Sequence, residues 1–166
     1  MKRLGILITV ILMSATMGMA QKYGHLNFGN LLSSMPETKA ADANLESYQK
    51  QLVAKGEKMA TDFQTKVNNY VNNAQTMSPV QARETEEALE KERQSILAYE
   101  QEVIQKVNNK RAELLQPIVE KAEKAIADVA KEQGYTMIFD SSIFNALLYA
   151  GEAEDVMPFV AAKLGL

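Results

Sequence analysis

The most regular feature of the chain is a stripe of apolar residues at helical spacing between residues 37 and 133. Apolar side chains recur there mostly every three or four residues, in two successive series. The first series is Leu45, Tyr48, Leu52, Met59, Phe63, Val67, Tyr70, Ala74 and Met77, and the second is Thr85, Leu89, Ile96, Tyr99, Val103, Leu114, Ile118, Ala122 and Val129. So narrow a stripe is typical of a coiled-coil seam, so it predicts two long helices that pack along one edge.

The two series meet in a short segment, Met77-Ser78-Pro79, which predicts the end of one helix and the start of the next. Ser78 suits an N-cap, and Gln81 would complete a capping box with it. A connection this short makes neighbouring helices antiparallel. We therefore predict a long antiparallel coiled-coil hairpin over residues 35–133, with its tip near residues 76–80.

Pro117 lies inside the second predicted helix, which we expect to end near Gln133, with Gly134 as its C-terminal stop. A proline in a helix interior removes one backbone hydrogen bond and crowds the preceding turn, so a kink is expected near Leu114. Pro117 is therefore a candidate hinge, and a passive bend is the alternative.

The segments that flank the hairpin, residues 21–34 and 134–166, hold most of the aromatic residues. A turn is expected at Gly29-Asn30, and Asp155 is expected to cap a short final helix. Three short runs have the composition of β-strands, at residues 23–28, 135–140 and 145–150. The predicted fold class is α+β, predominantly α, with the hairpin attached to a small β-rich body.

A body of this size is close to the limit below which a core needs oligomerisation or crosslinks. The chain has no Cys, which excludes disulfide crosslinks. We therefore predict that the body oligomerises, which would also cover its strand edges. The residues predicted to form the oligomerisation body are Leu26, Phe28, Ile138, Phe139, Leu147 and Leu148.

Residues 1–20 have the pattern of a cleavable signal peptide. A basic pair, Lys2-Arg3, precedes the apolar run Leu4–Met13. That run is shorter than the roughly 20 residues that a membrane-spanning helix needs. Small residues at Gly18 and Ala20 predict cleavage after Ala20. We expect export, no stable membrane insertion and action without cytosolic ATP; an uncleaved anchor is the alternative.

Composition argues against catalysis, metal binding and nucleic-acid binding. The chain has one histidine, His25, and an isolated histidine without cysteine is a poor metal site. The segment Asp140-Ser141-Ser142 lacks the frame of a nucleophile elbow. A formal net charge of -3 does not suit a nucleic-acid partner. We expect no enzymatic activity and no cofactor.

The order of these features resembles the Skp/OmpH family of periplasmic chaperones. The segments that carry the resemblance are His25-Leu26-Asn27-Phe28-Gly29-Asn30-Leu31-Leu32, Met35-Pro36-Glu37 and Gly134-Tyr135-Thr136-Met137-Ile138-Phe139-Asp140. The resemblance covers essentially the whole chain after residue 20. It implies a jellyfish-like homotrimer, in which three helical arms enclose an unfolded outer-membrane protein.

On the arm, the candidate client-contacting residues are Met59, Phe63, Tyr70 and Met77, and seam packing is the alternative for the two methionines. The best-known family members have cationic arms, which are proposed to attract lipopolysaccharide. Here residues 50–110 carry nine basic and nine acidic side chains. No lipopolysaccharide site is therefore carried over, and client affinity is expected to depend little on salt.

Two functions follow from this reasoning. The first is an ATP-independent holdase that binds unfolded outer-membrane proteins and prevents their aggregation. The alternative is a structural coiled-coil spacer or scaffold in the cell envelope. Polar residues interrupt the seam, at Lys55 or Gly56, Thr85, Glu92 and Lys106. An interrupted seam suits flexible arms and so favours the holdase.

Overall fold

The computed structural model describes residues 21–151 and 153–166, so the predicted signal peptide and its cleavage site lie outside the described residues. The elements in chain order are β1 (Lys22–Leu26), α1 (Phe28–Ser34), α2 (Pro36–Asn73), the 3₁₀ turn η1 (Ala74–Thr76), α3 (Pro79–Gln133), β2 (Tyr135–Asp140), β3 (Glu154–Asp155) and α4 (Met157–Leu164). The helices α2 and α3 have 38 and 55 residues. The predicted α+β class, predominantly α, is confirmed.

Local sequence signals set the ends of the two long helices. Pro36 opens α2, with Met35 in an extended conformation before it. At the start of α3, the Gln81 amide N–H donates to Ser78 Oγ over 3.3 Å. The Ser78 amide N–H in turn donates to Gln81 Oε1 over 3.1 Å. The predicted capping box is therefore present, and it satisfies amide groups that have no partner within the helix.

The ion pairs between α2 and α3 show how the two helices are oriented: residues later in α2 pair with residues earlier in α3. Near the start of α2, Glu37 pairs with Lys121. Further along α2, Lys66 pairs with Glu92 at 2.8 Å. The predicted antiparallel hairpin is thus confirmed. The seam positions are buried or half-buried, whereas most other positions of both helices are exposed.

Pro117 does not end the second helix, because α3 is continuous from Pro79 to Gln133. Its side chain is exposed. The helix stops at Gly134, whose φ of 74° is the left-handed conformation that glycine adopts most readily. The predicted stop is confirmed, while the role of Pro117 as a hinge stays a prediction.

The strands form a three-stranded parallel sheet in the order β2-β1-β3. Gly24 in the central strand lies opposite Ile138 and Glu154. A Cβ atom at Gly24 would lie 2.6 Å from Val156 Cγ1, so only glycine allows this close approach. The buried side chains of this part of the molecule are Leu26, Leu31, Ala125, Val129, Tyr135, Val156 and Val160.

Two local predictions are wrong. Residues 145–150 do not form a strand, and the third strand is the two-residue β3. Asn145 has a φ of 61°, which is incompatible with an extended strand. Gly29-Asn30 is not a turn but lies in the first turn of α1. Asn27 caps that helix, since its Oδ1 accepts the Asn30 amide N–H over 2.8 Å.

The described chain forms two compact units. We call residues 21–31 with 124–166 the body unit, and residues 32–123 the arm unit. The body unit contains the sheet, α4 and the end of α3, and the arm unit contains α2, η1 and most of α3.

Candidate functional site

The body unit exposes a large amount of apolar surface. The most exposed side chains follow β2, where Phe144, Leu148 and Tyr149 are 90%, 84% and 87% accessible. The further exposed apolar residues of this unit are Tyr23, Met137, Phe139, Ile143, Phe159 and Leu166. So many large apolar side chains on one small unit indicate a surface that a partner covers.

Part of this surface is a groove of about 720 Å³. Tyr23 and Phe139 form one part of its lining, with their ring centroids 6.5 Å apart. Leu147 and Tyr149 line it as well. The groove therefore brings together β1, β2 and the irregular segment that follows β2.

The six residues predicted for the oligomerisation body divide into three groups. Leu26 is 2% exposed and supports the core of a single chain. Half-buried positions are occupied by Phe28, Ile138 and Leu147. Phe139 and Leu148 are exposed. Leu26 therefore cannot lie directly on an oligomer surface.

Sequence reasoning missed several exposed side chains of the same surface, namely Met137, Ile143, Phe144 and Tyr149. One signal was available for Met137, because side chains two residues apart in a strand share a face. Met137 accordingly shares a face of β2 with Phe139. The other three lie in an irregular segment, where no periodicity shows which side chains turn outward.

A polar cluster fastens β3 to the sheet. The Tyr135 hydroxyl donates to Glu154 Oε2 over 2.5 Å, and Lys22 Nζ lies 3.1 Å from the same oxygen. Lys22 Nζ also lies 4.1 Å from the centre of the Tyr135 ring. The hydrogen bond from Tyr135, followed by that from Lys22, lowers the pKa of Glu154 below its ordinary value.

Asp140 fixes the end of β2 to the start of α1. Its Oδ1 accepts the amide N–H of Phe28 over 3.1 Å and that of Ser142 over 2.8 Å. Its Oδ2 accepts the Ser142 hydroxyl. Burial by itself would raise the pKa of Asp140, but the hydrogen bonds from Ser142 and Phe28 outweigh it, so the pKa is lowered. The segment Asp140-Ser141-Ser142 thus has a structural role.

The four candidate client-contacting residues of the arm are all half-buried positions of the seam. Tyr70 donates its hydroxyl hydrogen bond to the carboxylate of Glu86 on the opposite helix. Tyr70 and Met77 line the same groove of about 400 Å³ near the hairpin tip. Met59 and Phe63 do not line that groove. These side chains therefore contribute to packing within the hairpin and present only part of their surface to water.

Six ion pairs of the arm unit join side chains of the same helix. Examples are Lys50 with Glu46, Lys58 with Asp62, Arg93 with Glu90, and Lys106 with Glu102. Exposed pairs of this kind add little to stability. Because each pair neutralises itself locally, they leave the arm without a strong field of either sign.

Across residues 21–151 and 153–166, no three His, Asp or Glu side chains come together as a group that could hold a metal ion. No helix there combines the length and apolar character needed to cross a membrane.

Comparison with known proteins places the chain in a family. Residues 22–164 match the family described as "Outer membrane protein (OmpH-like)". The chain is 24% identical over 137 residues to the chaperone protein Skp of Yersinia enterocolitica, a match that covers 82% of each chain. It is 22% identical over 147 residues to the chaperone protein Skp of Pectobacterium atrosepticum, covering 89% of this chain and 87% of the other.

The fold is also similar to a solved structure. An OmpH-like protein from Caulobacter crescentus superimposes with a TM-score of 0.74 at 17% identity, over 87% of this chain and 83% of the other. The family match spans nearly all of the described chain. The predicted relationship is therefore confirmed, and the chain belongs to the OmpH-like outer membrane protein family.

Proposed function

We propose that this protein is an ATP-independent holdase of the periplasm that binds unfolded outer-membrane proteins and prevents their aggregation. The observation that carries the proposal is the apolar surface of the body unit, led by Phe144, Leu148 and Tyr149. A single chain would leave this surface in water. Assembly of several copies would bury it and bring several arm units into one particle.

The partner for this surface is a second copy of the chain, and the assembly is a homotrimer. Strand β2 is an edge strand, because β1 is its one neighbour among the described strands. Its exposed residues Met137 and Phe139 precede the mostly apolar segment 143–149 by a short polar stretch, Asp140-Ser141-Ser142. An apolar edge strand is a ready template for pairing with another chain. Family membership supports the same arrangement.

Holding an unfolded chain without a nucleotide requires many weak and adaptable contacts. The sequence has no Gly-rich phosphate loop that would indicate nucleotide use. The relatives in Yersinia and Pectobacterium are named as chaperones. The predicted signal peptide supports a periplasmic location, and the balanced charge of residues 50–110 supports clients held by apolar contact. Lipopolysaccharide is not among the proposed partners.

A structural spacer in the cell envelope is the second candidate. The ion pairs between α2 and α3 favour it, because Glu37 pairs with Lys121 and Lys66 pairs with Glu92 across the hairpin. Ion pairs between the two helices make the hairpin stiffer, which suits a spacer. Assembly accounts for the apolar surface of the body unit under either function, so the relatives named as chaperones are what favours the holdase.

The test measures the molar mass of residues 21–166 by light scattering, alone and after mixing with an outer-membrane barrel protein diluted from urea. We expect a trimer that takes up one barrel chain as a soluble complex. An oligomer that leaves the barrel to aggregate would support the spacer instead. A monomer would contradict the assigned role of the body surface.

A further inference from the structure

A dent lies on one side of the arm unit where α2 has a glycine in its seam. Gly56 faces Tyr99 of α3, and the missing side chain leaves an open space of about 280 Å³. Val53, Tyr99 and Val103 form its apolar lining, and Glu57 and Glu100 lie at it as well. The dent belongs wholly to the arm unit, residues 32–123.

The floor of the dent is held in place before any ligand arrives. Tyr99 is 6% exposed, and its hydroxyl donates to the Leu52 carbonyl oxygen over 3.0 Å. Lys55 Nζ lies 4.8 Å from the centre of the Tyr99 ring. The hydrogen bond and the nearby cation hold the Tyr99 ring in this rotamer, so the ring does not move to fill the space next to Gly56. The site is therefore pre-formed, which lowers the entropic cost of binding.

Exposed apolar side chains extend the dent along α3. Leu97 and Ile104 are 45% and 57% exposed. They lie three residues before and four residues after Glu100, so all three share one face of the helix. Across the dent, Val53 of α2 is 48% exposed. The apolar area thus continues beyond the dent on the side where Glu100 lies.

Size and charge indicate what the dent can take. A cavity of about 150 Å³ is enough for a benzene ring, so this space accommodates one bulky side chain. Glu57 and Glu100 have no ion-pair partner among the residues that the structure describes. These two carboxylates outnumber the one cation at the dent, Lys55, so its net charge is negative and favours a ligand with a cation next to its apolar group.

We propose that the dent at Gly56 binds a bulky apolar side chain, aromatic or large aliphatic, that is flanked by Lys or Arg in an unfolded polypeptide. This inference rests on the proposed holdase function and names a contact point for its clients. It differs from the four client-contacting residues predicted from sequence, none of which lines the dent.

The main test is Gly56→Ala. A Cβ atom there would lie 3.5 Å from Tyr99 Cε1, an ordinary contact, so the methyl group fits and fills the part of the dent next to the ring. Replacing a glycine inside a helix by alanine raises the thermal midpoint. The probe is a fluorescein-labelled peptide with one Phe between two Lys residues, followed by fluorescence anisotropy. We expect its affinity to fall by about fivefold or more while stability rises, which a merely structural role for Gly56 would not produce.

Two further experiments test the role of the carboxylates and the position of the bound peptide. The double change Glu57→Gln and Glu100→Gln is expected to weaken the Lys-flanked peptide but not a Ser-flanked one. The chain has no Cys, so Val53→Cys and Gln51→Cys give single labelling sites. Gln51 is exposed two residues away, on another face of α2. A benzophenone attached at residue 53 should crosslink the peptide far more than one at residue 51.

Each outcome decides the proposal. Equal affinity of Gly56→Ala and wild type, or equal crosslinking from residues 51 and 53, overturns it. Crosslinks from residue 53 to a second copy in the absence of peptide would also overturn it, since the dent would then be a subunit interface. Soluble complexes with the barrel protein report separately on the holdase function. If wild type and Gly56→Ala hold the barrel equally well and bind the peptide with equal affinity, the proposed holdase function stands. The dent is then rejected as a client-binding site.

Discussion

The Tyr99 hydroxyl donates a 3.0 Å hydrogen bond to the main-chain carbonyl oxygen of Leu52, across the seam between α3 and α2. Both residues are buried. A bond from a side chain to the opposite backbone exists in one register only, because a shift of either helix by one residue moves donor and acceptor apart. Tyr99 therefore fixes which residues of the two helices face each other, a role that polar groups have in other coiled coils.

Tyr99→Phe should lower the free energy of unfolding by about 1 kcal/mol, the usual net value of one buried hydrogen bond. The ring stays in place, so helix content should not change. Urea unfolding followed by circular dichroism at 222 nm measures the difference. Tyr48→Phe is the control, since the Tyr48 hydroxyl is a half-buried seam group without a hydrogen bond in the described part of the chain. Equal losses in both variants would contradict a specific role for Tyr99.

Gly24→Ala should destabilise the body unit. The added Cβ would lie 2.6 Å from Val156 Cγ1 and 3.2 Å from the Tyr135 ring. Overpacking of this kind costs about 1–3 kcal/mol. Thermal unfolding followed by tyrosine absorbance suits a chain without Trp. Gly29→Ala is the matched control, because its nearest contact would be an ordinary 3.5 Å to Asn27 Oδ1. A midpoint for Gly24→Ala at or above that of wild type would show that the strand can shift to make room.

Acid should weaken the body unit through Asp140 and Glu154. Hydrogen bonds lower the pKa of both carboxyls in the folded chain. The unfolded chain therefore binds more protons in acid, so the stabilisation is present at neutral pH and is lost as pH falls through the folded pKa values.

The measurement compares the free energy of unfolding of wild type and Asp140→Asn between about pH 6 and about pH 3. The gap between the two proteins should narrow as pH falls. Asn44→Ala, at an exposed uncharged position of α2, serves as control and should show a gap that does not depend on pH. A gap for Asp140→Asn that stays constant would show that its hydrogen bonds do not depend on charge.

Phe139→Asp should dissociate the oligomer. Phe139 is 42% exposed on β2, so an aspartate there remains solvated in a single chain but would be buried without a partner in an assembly. Light scattering should report a lower molar mass at unchanged helix content. Thr136→Asp, at an exposed polar position of the same strand, is the control and should keep the mass of wild type. An unchanged mass for Phe139→Asp would remove this residue from the interface.

Client affinity should depend little on salt, because residues 50–110 of the arm carry equal numbers of basic and acidic side chains. The dissociation constant for an unfolded barrel protein should change by less than about threefold between about 50 mM and about 200 mM salt. As a contrast, Glu84→Lys with Glu87→Lys would give the arm a net positive charge and should introduce a salt dependence. A steep fall in the affinity of the wild type would show that charge, and not apolar contact, captures the client.

The sequence alone determined the hairpin. Its stripe repeats every three or four residues, Ser78 and Gln81 cap the second helix, and Gly134 ends it. All of these signals act between residues close together in the chain. Helix periodicity and capping depend on such short-range interactions, so a pattern in the sequence is sufficient to predict them.

Only the tertiary structure decided the arrangement of the body. Leu26 and Phe139 are both apolar strand residues, yet one is buried and the other is 42% exposed. Strand position alone does not explain the difference, because Tyr23 of the central β1 is exposed and Tyr135 of the edge strand β2 is buried. Burial depends on which other segments of the chain pack against each side chain. Composition likewise favoured a strand at residues 145–150, where the backbone instead follows the left-handed turn at Asn145.

The dent at Gly56 shows the same division. The sequence marked Gly56 as an interruption of the seam, but the open space depends on the residue that faces it from α3. Tyr99 is 43 positions away, and its ring is fixed by the Leu52 carbonyl. Burial and cavities depend on which distant segments meet, and the local pattern of one helix does not contain that information.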